Sequence, residues 1–338
     1  MTAPDAADGG PRCDNPGVTS SQPESGPAVG PSIVVAGEAL VDLIVRPSGE
    51  ITPLAGGGPF NSARAIARLG TRVAWLGALS RDRFGRMLDA ALRDDGVDLR
   101  LARRTDLPTT LALAELDAEG AATYRFYVEG TSASAVTPDA GDTLPASTRA
   151  VLLGTLGLVL EPIATTLEGL VSRLPDDTLL LLDPNARPAV IPDASAWRAR
   201  IGRLLSRADV VKASTEDLAF LRPGEPPDEA AAWLAARGAR AVIVTNGGRP
   251  VSVLAGGVLT RVETPAVDVV DTVGAGDTFG GAFLACLVND GVGREGLAGP
   301  EAVLRAARFA VRASSFVCGR AGADPPTLAQ LGGWPRRS

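Results

Sequence analysis

The residues Asp271-Thr272-Val273-Gly274-Ala275-Gly276-Asp277-Thr278-Phe279-Gly280-Gly281 combine types that could move an anionic group onto an alcohol. Gly274 and Gly276 let backbone N–H groups approach a ligand without Cβ obstruction. Phe279, Phe283 and Leu287 follow at spacings of four, which predicts an apolar helix. A helix starting here directs its free N–H groups and positive dipole end at the ligand. Such an anion hole suits the charge on a transferring phosphoryl group. A carboxylate at Asp277 would stand beside the attacked phosphorus, kept ionised by the dipole, and would accept the proton of the attacking hydroxyl. On spacing alone the fragment also fits a Gly-rich turn with an Asp near a helix start. A dinucleotide fingerprint fits poorly, because Phe279 stands where the third glycine of GxGxxG belongs.

A second chemical segment is Gly56-Gly57-Gly58-Pro59-Phe60-Asn61, leading into a helix that ends near Leu69-Gly70. The glycines permit close backbone approach to a polar ligand, and Asn61 offers a donor and an acceptor to hydroxyls. A flexible turn with Asn near the helix start fits the same residues.

Absences narrow the chemistry. The chain has no histidine, which excludes Ser-His-Asp triads, Cys-His pairs and HExxH zinc sites. Cys13, Cys286 and Cys318 show no CxxC spacing, so a zinc site or disulfide scaffold is not expected and the chain fits a reducing cytosol. Lys212 is the sole lysine and is not in a GxxxxGK[ST] loop, so a Walker A site is excluded. The net charge of −6 and the lack of a basic run argue against nucleic acid as partner. No run of eighteen apolar residues is free of polar interruption, so no membrane span is expected. Residues 1–31, rich in Pro, Gly, Ser and Ala, read as a disordered tail without the features of a signal peptide.

From 32 to 338 a single α/β domain is expected, with residues 33–37, 73–79, 151–156, 179–183, 210–212 and 241–245 as core strands. Amphipathic stretches at 61–69, 84–93, 195–205 and 228–237 alternate with them. This rhythm predicts a mainly parallel sheet with helices on both faces, and ligands at the carboxyl ends of its strands. Residues 266–270 also look β-like. Residues 40–46 alternate, with Val41, Leu43 and Val45 on one face and Asp42 on the other. Residues 109–116 and 122–128 flank the turn Asp117-Ala118-Glu119-Gly120 as a hairpin. These segments, near 39–54 and 109–129, are expected to form a small β-sheet that acts as a lid or a homodimer contact; an ordinary edge hairpin fits them too.

Taken together, the two glycine segments resemble the signatures of the PfkB, or ribokinase-like, carbohydrate kinase family. Residues 56–61 look like its GGxPxN and residues 271–277 like its DTxGAGD. Gly37-Glu38-Ala39-Leu40-Val41-Asp42, Phe126-Tyr127-Val128-Glu129-Gly130-Thr131, Asp183-Pro184-Asn185-Ala186-Arg187-Pro188 and Ala208-Asp209-Val210-Val211-Lys212 match further, in the family's order. The likeness is greatest to fructokinase-type and 2-keto-3-deoxygluconate kinase-type members.

The resemblance implies a ribokinase-like fold and transfer of the ATP γ-phosphate to a sugar hydroxyl. Asp277 matches the catalytic base, and Gly274, Ala275 and Gly276 the anion hole. Asp42, Gly56, Gly57 and Asn61 match substrate contacts, and Arg187 an arginine near substrate or phosphate. Thr245 and Gly247 match the nucleotide-side TxG turn, although Pro250 replaces a further glycine. Ser214 and Asp217 stand where the family has the Asn and Glu of NxxE, so Glu216 or Asp217 would organise Mg2+ through water. Lys212, just before, would face a phosphate or the surface. Asp271 and Val273 match a monovalent-cation (K+) site completed by carbonyls of the 314–322 region, where Gly319 and Gly322 form a turn near the adenine. Fructose is the first substrate expected, then 2-keto-3-deoxygluconate, another sugar or a nucleoside. An inactive sensor or scaffold would be expected to have lost Asp277 or the glycines, and both are present.

Overall fold

The computed structural model describes residue 30 and residues 32–117, 122–137 and 144–336. Apart from Gly30, the expected tail lies outside the described residues, as do residues 118–120 of the expected hairpin turn.

The chain runs β1 (Ile33–Ala36), β2 (Leu40–Val45), β3 (Ile51–Gly56), α1 (Gly58–Arg68), β4 (Val73–Leu76), β5 (Ala78–Ser80), α2 (Arg83–Asp94), β6 (Arg103–Thr105), β7 (Leu111–Leu116) and β8 (Ala122–Tyr127). It continues through β9 (Ala150–Gly154), α3 (Ile163–Ser172), β10 (Leu179–Asp183), α4 (Ala194–Leu205), β11 (Val210–Ser214), α5 (Thr215–Leu221) and α6 (Pro227–Ala235). Last come β12 (Ala241–Thr245), β13 (Val251–Ala255), β14 (Val258–Val262), α7 (Ala275–Asn289) and α8 (Pro300–Cys318).

The main sheet has eight strands in the order β14-β13-β12-β11-β10-β9-β1-β4. From β12 to β4 all pairings are parallel, and β13 and β14 join antiparallel at one edge. Its central strands are continuous apolar runs because both faces are covered. In β1, Ile33 and Val35 turn toward Phe60 of α1, Phe279 and Phe283 of α7 and Phe309 of α8. Val34 and Ala36 turn toward Leu167 of α3, Ile201 of α4 and Leu234 of α6. The two-residue period of the strand thus divides the core into two layers. The mainly parallel sheet with helices on both faces is as expected.

A smaller sheet has the order β3-β2-β7-β8. Its register places Asp42 between Leu54 and Ala112, with Phe126 beyond, so these share the face of β2 opposite Val41 and Leu43. That face turns to the carboxyl ends of the main strands, where Leu40, Ala112 and Phe126 pack with Leu156 and Val190.

Two local expectations are corrected, and one further element appears. The run at 73–79 is two strands, since β4 pairs with β1 whereas β5 pairs with β6. Gly77 makes the break, and a Cβ there would collide with Trp75 and the carbonyl of Gly37. Residues 266–270 form no strand; Val269 and Val270 are exposed, and the Val270 N–H donates to the Cys318 carbonyl at 2.8 Å. The unforeseen β13–β14 hairpin turns on Gly256-Gly257, both at positive φ (57° and 75°), as a two-residue hairpin loop requires.

Candidate active site

Asp277 lies in the first turn of α7, at the end of the cleft between the two sheets. The turn before it needs glycine: Gly274 has φ 75°, and a Cβ there would lie 2.5 Å from that of Ala323. No side chain caps this helix end, and the Ala275 amide donates to the Thr272 carbonyl at 3.3 Å. The Asp277 carboxylate is bracketed by two asparagines. Asn61 of α1 donates through Nδ2 to Oδ2 at 2.9 Å. Asn185, following β10, approaches Oδ1 at 3.4 Å and donates to Thr155 Oγ1 at 3.1 Å. The Ser62 hydroxyl donates to the Asp277 carbonyl at 3.0 Å, fixing α1 to α7. Gly58 completes the approach, since a Cβ there would stand 3.2 Å from both Asp277 Oδ1 and Asn185 Nδ2.

The charges at this floor are out of balance. Burial raises the pKa of Asp277, opposed by the Asn61 hydrogen bond and the charges of Lys212 and Arg187. Burial, with the charge of Asp277, pushes Asp42 up to about 6, although Arg187 pulls it down. Gly56 makes room for Asp42, as a Cβ there would collide with its carboxylate. Gly57, at φ 109°, precedes the helix, and a Cβ there would press on the backbone of residues 38–40. Arg187 is exposed at the rim, donates to the carbonyl of Ala186 at 3.1 Å, and makes no ion pair among the described residues. Asp42, Asp277, Asp271 and Arg187 therefore share one field.

Lys212 is neither at the surface nor open to the cleft. It is buried, and its ammonium donates to Asp183 Oδ2 at 2.7 Å. Burial alone would lower its pKa, but Asp183 holds it raised. It supports α7 from beneath, and a Cβ on Gly276 would come within 3.5 Å of Nζ. Asp217 is likewise committed. Its Oδ2 accepts from the amide and hydroxyl of Ser214 at 2.7 and 2.8 Å, and its Oδ1 from the Ala186 amide at 2.6 Å. It belongs to a capping box that starts α5 and ties α5 to the 183–187 loop. Glu216 beside it is exposed, with Thr215 Oγ1 at 3.2 Å.

Thr245 ends β12 in register with Ser214, and Gly247 turns at φ 54°. Asp271 accepts from the Val273 amide at 3.0 Å and from the Gly322 amide at 2.8 Å. That carboxylate joins the 271–273 segment to the turn containing Gly319 and Gly322, the proximity expected of these residues. Residue type and spacing gave no role to Glu38, Thr155, Asn185 or Asp183. Glu38, Asn185 and Asp183 lie within the motifs named above, whereas the positive φ of Thr155 (56°) has no signal in its residue type.

The model of the pfkB family carbohydrate kinases matches residues 31–330. The fructokinase of Rhizobium leguminosarum bv. trifolii is 38% identical over 267 residues, covering 76% of this chain and 80% of that one. The structure resembles the Xylella fastidiosa fructokinase with bound ATP, with TM-score 0.81, 27% identity, and coverage of 88% of this chain and 96% of that one. It also resembles Vibrio cholerae O395 fructokinase in its fructose-, ADP- and calcium-bound form, with TM-score 0.79, 25% identity, and coverage of 90% and 98%. The chain belongs to the pfkB family of carbohydrate kinases and has its ribokinase-like α/β fold. It is an ATP-dependent sugar phosphotransferase. No helix among the described residues is long and apolar enough to cross a membrane.

The position of Asp42 yields a test. An acid whose pKa rises on folding from 3.8 to about 6 costs the fold stability, and that cost grows as pH rises through this window. Asp42→Asn removes it. The variant should be more stable than wild type at pH 8, by on the order of 1–3 kcal/mol, with the gain fading as pH falls below about 6. Its sugar KM or kcat should worsen while the ATP KM stays put. Denaturant melts at several pH values check this; a less stable variant at pH 8 would show that the carboxylate is already satisfied within the fold.

Proposed function

We propose that the protein phosphorylates fructose from ATP, with Asp277 as the base. The observation that carries this is the Asp277 carboxylate held between Asn61 and Asn185 at the open N-terminus of α7. A sugar hydroxyl placed there gives its proton to Asp277 as its oxygen bonds to the γ-phosphorus, and the bond to the ADP oxygen breaks. The charge on the transferring group meets the backbone of Gly274, Ala275 and Gly276 and the α7 dipole. Asp42, Gly56, Gly57 and Asn61 hold the other sugar hydroxyls, with the small sheet as lid. Arg187 closes the rim; as a guanidinium without an ion pair among the described residues it also suits a carboxylate-bearing sugar such as 2-keto-3-deoxygluconate. Fructose is favoured by the names of the relatives.

Thr245 and Gly247 on one side and Gly319 and Gly322 on the other would flank the nucleotide. Mg2+ would neutralise phosphate charge. With Asp217 committed, Glu216 is the carboxylate left to hold it through water. K+ would lie on carbonyls of Asp271, Val273 and the 319–322 turn. The outer face of the lid exposes Ile51 and Tyr127, more than half accessible, and would meet a second copy as a homodimer. A cytoplasmic location accords with the three cysteines, Cys13, Cys286 and Cys318, which show no CxxC spacing.

ADP release should be fastest with fructose in a panel including glucose, ribose, 2-keto-3-deoxygluconate and a nucleoside. It should stop with chelator and return with Mg2+. Glu216→Ala should raise the Mg2+ requirement, and sedimentation should give twice the chain mass. A preferred substrate other than fructose would move the specificity assignment; unchanged Mg2+ dependence in Glu216→Ala would move the metal site, and a monomer would free the lid face.

A further inference from the structure

We infer that Glu38 is a positioning residue for Asp277: its ionised carboxylate ties together the two arms that hold Asp277, and protonation releases one of them. This rests on the reading of Asp277 as the base. Glu38 follows β1 and is 1% exposed. Its Oε1 accepts from the amide of Gly58, the first residue of α1, at 3.2 Å, and its Oε2 from the amide of Gly157 at 3.0 Å. Three residues beyond Gly58, Asn61 donates to Asp277 Oδ2. Gly157 lies in the turn Thr155–Leu158, and Thr155 anchors Asn185, which approaches Asp277 Oδ1. One carboxylate therefore sets the separation of both asparagines.

Stability does not explain such a group. A buried carboxylate without a cation is unfavourable, and Glu38 has no ion pair among the described residues. What faces it is the α1 N-terminus, the Gly157 amide and, from α7, the like charge of Asp277. Burial pushes it up to about 7, with the backbone N–H bonds opposing and Asp277 adding to the rise. Its proton is thus exchanged near neutrality. A protonated Glu38 presents a hydroxyl to one of the two amides, and that tie is lost. Thr155 supports the same view: it is held at φ 56°, a conformation costly for a β-branched residue that the surrounding contacts must maintain.

The experiment measures kcat against pH from about 5.5 to 9 for wild type and Glu38→Gln, with melting temperatures and ATP titrations alongside. Gln presents an NH2 to one amide at every pH. We expect kcat to fall on the order of 10- to 100-fold, as for a misplaced reacting group, with the ATP KM within about twofold of wild type. The acid limb that Glu38 contributes near 7 should be missing from the variant, leaving only the limb of Asp277 itself. In wild type the amide NMR signals of Gly58 and Gly157 should titrate together near 7, a readout that needs no variant to fold and no activity. The inference is overturned by a variant that keeps the limb near 7, by a kcat within twofold of wild type, or by flat amide signals from pH 5.5 to 9. A wild type that phosphorylates no sugar would instead sink the reading on which it rests.

Discussion

A carboxylate that takes a proton from an alcohol must be ionised, and ionised carboxylates resist burial. In Asp277 the two demands compete: burial raises its pKa, while the Asn61 hydrogen bond and the charges of Lys212 and Arg187 oppose the rise. The N-terminus of α7 offers it positive potential, Asn61 donates to it, and Lys212 lies beneath the same turn. Lys212 in turn needs Asp183, because a buried ammonium requires a partner. The acids around it remain partly uncompensated. Glu38, Asp42 and Asp183 are pushed up to about 7, 6 and 6, chiefly by burial. That instability is tolerable because the two apolar layers of the main sheet are extensive.

Close approach is the second demand. Gly56 admits the Asp42 carboxylate, Gly58 the Asp277–Asn185 contact, and Gly274 the tight entry to α7. A methyl group at Gly56 or Gly58 would displace a polar group of the cleft, and one at Gly274 would collide with Ala323. The same economy of space explains Gly154, where a Cβ would collide with the Asp183 carbonyl between neighbouring strands. The glycine segments are therefore spacing devices for side chains as well as cradles for a ligand.

Much of this was legible in the sequence where one physical signal dominates. Continuous apolar runs identified the buried parallel strands, and periodicity placed α1, α2, α4 and α6 within a few residues. The β13–β14 hairpin escaped notice although Gly256-Gly257 between apolar runs is its signal. Residues 266–270 have a strand's composition but no strand partner, since their exposed valines pass along the end of α8. At the site, type and motif singled out Asp277, Asp42 and Asn61, which the fold brings together. They did not separate Glu216 from Asp217, because adjacent acids at a helix start look alike until one closes a capping box. Glu38 was hidden for a related reason: its work is done on backbone amides that only the fold brings within reach.

The central claim is that Asp277 is ionised and accepts the proton of the sugar hydroxyl. Single-turnover phosphoryl transfer in Asp277→Asn tests it most directly, with ATP affinity and melting temperature measured on the same protein. Asn keeps the shape of the side chain but cannot take the proton. The account predicts a rate lower by on the order of 10²–10⁴-fold, with ATP binding and cooperative melting close to wild type. A transfer rate near that of wild type would contradict it.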